Sequence, residues 1–186
     1  MVPVLSLWLP ILLSAVAVFF VSAIVHMVLK YHTTDYVRLP AEDEIRGALQ
    51  RHNIPPGNYM TPWGGGMEAM KDPAWLEKYE RGPVAFMTFM RPGKPSMTNE
   101  LIQWFLYSIL VSIFAAYIAG RALPAGANYL DVFRFTGAVA FAGYALGQWQ
   151  ETIWYKRKLS TTIKNTFDGL LYALFTAGVF GWLWPV

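Results

Sequence analysis

Ile163 to Trp184 is a run of mostly apolar residues that a globular chain of this size has little reason to carry. As a helix it measures about 33 Å at 1.5 Å per residue, enough for the roughly 30 Å of a bilayer's hydrocarbon. Small residues stand at every fourth position, Gly169, Ala173, Ala177 and Gly181. On a helix those positions form one stripe, which lets a neighbouring backbone come close. One acid, Asp168, lies just inside the run. The rest of the chain should supply helices to pack on that stripe.

Three earlier runs fit. The first spans about 5–29, roughly 37 Å as a helix. Its Pro10 falls in the first turns, where a missing amide costs least, and Ser14, Ser22 and His26 share a face. The second spans about 99–120, with Ser108, Ser112, Ala116 and Gly120 repeating every four residues. The third, about 132–148, carries Gly143 and Gly147 as GxxxG. Short connections between runs two, three and four favour antiparallel neighbours. The expected fold is an all-α membrane protein, a four-transmembrane-helix up-down bundle over 1–186 with helices at about 5–29, 99–120, 132–148 and 163–184. Hydrophobic residues at 55% and charged residues at 15%, confined to connections, agree with that class. No Lys or Arg precedes Lys30, so the first run reads as a retained helix rather than a cleaved signal.

Residues 30–98 are too long for a turn and turn abruptly charged and Pro/Gly-rich. Pro40 and the acids Glu42, Asp43 and Glu44 predict a helix start, giving an amphipathic helix over 41–52. Asp72-Pro73 predicts a second helix ended by Gly82. Val84 to Met90 predicts a strand, with Tyr59 to Trp63 as its partner. A small α/β cap inserted between helices one and two is expected, resting on the membrane surface. Gly64-Gly65-Gly66 has no following Lys-Ser/Thr and reads as a turn rather than a phosphate loop.

Orientation follows from charge. Eight Lys or Arg flank the ends on the side of residues 30–98 (Lys30, Arg38, Arg91, Lys94, Lys156, Arg157, Lys158, Lys164), against Arg121 and Arg134 on the other. The excess places the cap in the cytoplasm and both termini outside. Trp8, Tyr129, Trp182 and Trp184 should form one aromatic belt, and Tyr31, Trp104, Trp149, Trp154 and Tyr155 the other. The net charge of +3 therefore points to a membrane setting and not to nucleic acid.

Asp168 is the sharpest functional signal, because a carboxylate in an apolar run tends to face a bundle interior or a water-filled cavity. At its depth the other runs offer His26, Asn99, Gln103 and Gln148, and its own run offers Asn165; of these His26, Gln103, Gln148 and Asn165 make a candidate polar pocket, with Asp168 beside His26 and Gln103. The plainer alternative is an interfacial Asp held by Lys164, four residues earlier, and by neighbouring amides. With no cysteine, disulfides, thiolate metal sites and CxxCH haem attachment are excluded. His26 and His32 are six residues apart, so on one continuous helix they point to different faces. No metal and no cofactor is expected on that spacing, and no catalytic motif stands out.

The segments from His26 to Tyr36, Leu39 to Glu44, Ile54 to Met60 and Val132 to Gly137, with the Asp168 helix, resemble a family of small four-helix bacterial inner-membrane proteins of no known activity. The resemblance implies a bacterial inner-membrane setting and assigns no catalytic residue. The expected role is that of a non-enzymatic accessory protein acting through the lipid bilayer, a protein partner or a homo-oligomer. The alternative is a small oligomeric transporter or ion-binding protein that uses Asp168.

Overall fold

The computed structural model describes residues 1–186, which divide into two compact units, Met1–Val37 with Ser96–Val186, and Arg38–Pro95. The chain is mostly helical with one small sheet: α1 Trp8–Ala23, α2 Glu42–Arg51, β1 Gly57–Thr61, α3 Pro73–Arg81, β2 Ala85–Phe89, α4 Thr98–Ala122, α5 Tyr129–Tyr144, α6 Trp149–Tyr155 and α7 Leu159–Trp182.

The inserted unit follows the turn chemistry of its sequence. Helix α2 starts at the acidic triplet Glu42, Asp43 and Glu44. Helix α3 has Pro73 in its first turn, and the Asp72 carboxylate accepts the Ala74 amide at 3.0 Å. Gly82 ends it with φ 67°, a left-handed value that favours glycine. Strands β1 and β2 pair antiparallel, Tyr59 opposite Met87. Gly65, at φ 73°, lies in a turn before Met67–Lys71.

In the larger unit, α1 packs on α4 and α7, and α5 packs on the same two helices. Small residues set these contacts. A β-carbon on Gly169 would lie 2.8 Å from that of Ala145, and one on Gly181 would lie 2.7 Å from the Tyr129 ring. One on Gly143 would meet Val111 at 3.1 Å, and Gly120 lies against the Val2 backbone, whose amide donates to the Gly120 carbonyl at 2.7 Å. Ser108, Ser112, Ala116, Ala173 and Ala177 are all buried. Ser14 donates to Ser112 at 2.9 Å, joining α1 to α4. Gly147 departs from expectation. Helix α5 stops at Tyr144, so Gly147 falls in the turn Leu146–Gln148 with open space around it and packs nothing.

Two helices are long and apolar enough to cross a membrane, Val4–Val28 and Thr98–Ala122. The other two expected spans do not reach that standard. Helix α5 has only 16 residues, and α7 opens on the polar sequence from Ser160 to Asp168. The small and hydroxyl residues that let α7 be packed on two sides also lower its apolarity. Two of the tryptophans expected in the belts, Trp104 and Trp184, use their indole N–H within the chain. Trp184 is buried and donates to the Pro124 carbonyl at 2.9 Å, and Trp104 donates to Ser22 at 2.9 Å between α4 and α1.

Enlarging a residue at these close contacts should be costly. Ala173→Leu and Ser112→Leu are each expected to lose about 1–3 kcal/mol, the usual penalty for overpacking. Thermal unfolding in detergent measures this, and unchanged stability in both would show that neither face is packed.

Candidate functional site

The site is built where α1 breaks. After Ala23 the backbone widens into one π-helical stretch, Ile24–Val28, a feature that often marks a functional position. Leu29 then turns extended (φ −85°, ψ 106°), and Lys30–Thr34 closes into a 3-10 turn. The break undoes the argument that His26 and His32 diverge. One continuous helix would point the two apart, whereas the turn carries His32 back until the rings stand 4.6 Å apart, centroid to centroid.

The same turn supplies the partners of Asp168, which is 3% exposed. Its Oδ2 lies 2.8 Å from His32 Nε2, and its Oδ1 accepts from the Tyr31 hydroxyl. The other ring nitrogen of His32, Nδ1, lies 2.7 Å from Asp35 Oδ2. Asp35 Oδ1 in turn accepts from Lys164 Nζ at 2.7 Å. The result is one continuous row of charge and proton-bearing groups, Asp168, His32, Asp35 and Lys164.

Lys164 does not hold Asp168, as the plainer alternative required. Its ammonium donates to the Tyr31 carbonyl at 2.6 Å, to Thr34 Oγ1 at 2.8 Å and to Asp35, so it locks the turn to α7. Lys158 adds a bond to the Thr34 carbonyl at 3.1 Å.

Two of these groups titrate away from their ordinary ranges. Burial pushes the Tyr31 hydroxyl up, and the hydrogen bond to Asp168 and its charge add to that, so Tyr31 stays a donor. Burial would raise the Asp35 carboxyl, but Lys164 and His32 outweigh it and bring it down to about 2. Asp35 is therefore a fixed negative charge beside His32.

His26 lies on the exposed side of the cluster, its Nε2 3.5 Å from the Tyr172 hydroxyl. The Tyr172 ring packs at 5.6 Å from both Trp104 and Tyr144. These aromatics form an apolar floor, within which the buried Tyr144 hydroxyl makes no hydrogen bond of normal geometry.

Of the expected pocket, Asp168 and His26 come together and the amides do not join them. Gln148 donates to the Tyr144 carbonyl at 2.6 Å, Gln103 is exposed, Asn165 is half-buried, and the hydrogen bonds of Asp168 go to none of them. Depth alone had selected these residues, and depth says nothing about which way a side chain faces. Asp35 was missed, His32 had been set aside on helical spacing, and Tyr31 had been assigned to an aromatic belt. Their signal was local: a His and an Asp three apart directly after an apolar run, in a stretch too polar to continue it.

His26, His32 and Asp168 each bring one potential ligand atom, all within 4.8 Å of one another. Chemically the arrangement can hold a cation between two imidazoles and a carboxylate. No protein-family model, curated protein or solved structure matches the chain.

Proposed function

We propose that this chain is a four-pass, non-enzymatic protein of the bacterial inner membrane that binds a cation at Asp168. In this reading α1, α4, α5 and α7 form an up-down bundle, residues 30–98 are cytoplasmic and both termini lie outside. The observation that carries the function is the buried Asp168 carboxylate, joined to His32 and Tyr31 and flanked by His26. Packing alone does not call for such a group, since intramembrane carboxylates are costly and tend to mark ion or proton sites. Two helices with the length and apolarity of a span support the membrane setting. The reading as an accessory protein acting through lipid or protein contacts draws less support. Most of the small-residue stripes suggested for helix contacts are used up within the chain itself.

Purified protein stripped with chelator should be unfolded thermally in a panel of Na+, K+, Mg2+, Ca2+ and Zn2+. A ligand at a hundred times its Kd stabilises by about 2.7 kcal/mol, so at least one ion should raise the transition clearly in the wild type and not in Asp168→Asn. A wild type that responds to none of them refutes the reading.

Orientation is tested separately. The chain has no cysteine, so single Ser96→Cys and Ala125→Cys chains can be probed with an impermeant thiol reagent on intact cells. Ala125 is preferred to Asn128, whose side chain caps α5. Labelling at Ala125→Cys but not Ser96→Cys is expected, and the reverse pattern overturns the orientation.

A further inference from the structure

The geometry points to a divalent transition-metal site formed by His26, His32 and Asp168, with zinc-like ions as the ligand. This inference rests on the cation-binding reading above and names the ion class.

Three features carry it. The first is spacing. Tetrahedral bonds of about 2.0–2.1 Å to nitrogen and oxygen put ligand atoms about 3.3 Å apart. Here the Asp168–His32 pair is at 2.8 Å and all three atoms lie within 4.8 Å, so small side-chain rotations bring them around one ion. The metal would replace the hydrogen bond between Asp168 Oδ2 and His32 Nε2.

The second feature is the support behind the ligands. A metal-bound imidazole nearly always donates its other N–H to a carboxylate or carbonyl, which fixes the tautomer and strengthens the ligand. His32 meets that requirement through Asp35, which is itself held by Lys164. Tyr31 occupies the other oxygen of Asp168 and so favours one-oxygen coordination by that carboxylate.

The third is charge and donor type. The Asp168 carboxylate is the charge that would meet the ion, since the Lys164 ammonium is directed at Asp35 and the turn and not at Asp168. Two imidazoles and one carboxylate suit zinc, cobalt, nickel or iron, whereas Mg2+ and Ca2+ prefer all-oxygen sites. Three protein ligands leave a fourth position open, unlike the closed four-ligand shell of a structural zinc site, and His26 lies on the exposed side where an ion can arrive.

The test uses tag-free, full-length protein and Co2+ as a coloured stand-in for Zn2+. The wild type should develop the intense visible bands of four-coordinate cobalt, and Zn2+ should abolish them. Zn2+ should bind at least a hundredfold more tightly than Mg2+ or Ca2+. Asp35→Asn should weaken Zn2+ by about 10–100-fold, the usual loss when an outer partner is removed. His26→Ala and His32→Ala should each weaken it further, while His52→Ala changes nothing. If the histidine variants fail to fold, pulsed EPR of the Cu2+-loaded wild type still decides the matter by counting two coordinated imidazoles.

A site that takes Mg2+, Ca2+, Na+ or K+ in preference to Zn2+, or Cu2+ held by fewer than two imidazoles, overturns the metal assignment and leaves cation binding at Asp168 standing. Absence of any ion response in the wild type removes both.

Discussion

Asp168→Leu is expected to be among the most damaging single substitutions in the chain, costing about 2–6 kcal/mol, the sum for two groups that lose their hydrogen-bond partner. The residue is 3% exposed, and a leucine there accepts nothing. The Tyr31 hydroxyl and His32 Nε2 would lose their partner together, and each unsatisfied buried group costs about 1–3 kcal/mol. Asp168→Asn should behave differently. Its carbonyl can accept from Tyr31 and its amide can donate to a neutral His32 whose proton sits on Nδ1 facing Asp35. The loss should be about 1 kcal/mol, near the net worth of one hydrogen bond. Thermal or denaturant unfolding of both variants measures the contrast. Equal loss in the two would mean that the carboxylate's hydrogen bonds do not matter to the fold.

Lys164→Met should be the second large effect, about 2–4 kcal/mol, because it removes three charge-assisted hydrogen bonds at once, each contributing about 1.5–3 kcal/mol before the side chain relaxes. Its ammonium holds the Tyr31 carbonyl, Thr34 and Asp35, so the turn Lys30–Thr34 loses its attachment to α7. Asp35, whose side chain is 8% exposed, would be left facing His32 without its counter-charge. Adding Asp35→Asn to Lys164→Met should recover part of the loss, since it removes the stranded carboxylate. The double variant should then be less destabilised than the sum of the singles, and strict additivity would show that the two groups are not coupled.

How much of this could be read beforehand depended on the range of the interaction. Helix α3 was legible to the residue because Asp72, Pro73 and Gly82 act within a turn of themselves. Strand β2 was legible because Val84 to Met90 is an apolar run between Gly-Pro and Arg-Pro-Gly breaks, whereas its partner lies at Gly57–Thr61 and so begins and ends two residues before the Tyr59–Trp63 expected. The small-residue stripes were legible because a four-residue repeat on a helix is a face, and Gly169 and Gly181 do meet close neighbours there. Gly147 failed because GxxxG has meaning only inside a helix, and α5 ends three residues before it.

The site was half visible. Asp168 stood out by its chemistry, and His26 by its position on the face shared with Ser14 and Ser22. His32, Tyr31 and Asp35 reach Asp168 only because α1 widens at Ile24–Val28 and then breaks at Leu29. Nothing in the apolar pattern marks that break, since Val25, Met27, Val28 and Leu29 read as more helix. A proline or glycine would have announced it, and none is there. The reversal is bought by contacts far away in sequence, above all Lys164, which no local rule can anticipate.

Equilibrium dialysis of chelator-treated, tag-free protein against Zn2+, followed by elemental analysis, tests the account most directly. The wild type is expected to retain one zinc per chain and Asp168→Asn none. A wild type that retains no zinc, or an Asp168→Asn chain that retains as much as the wild type, would contradict it.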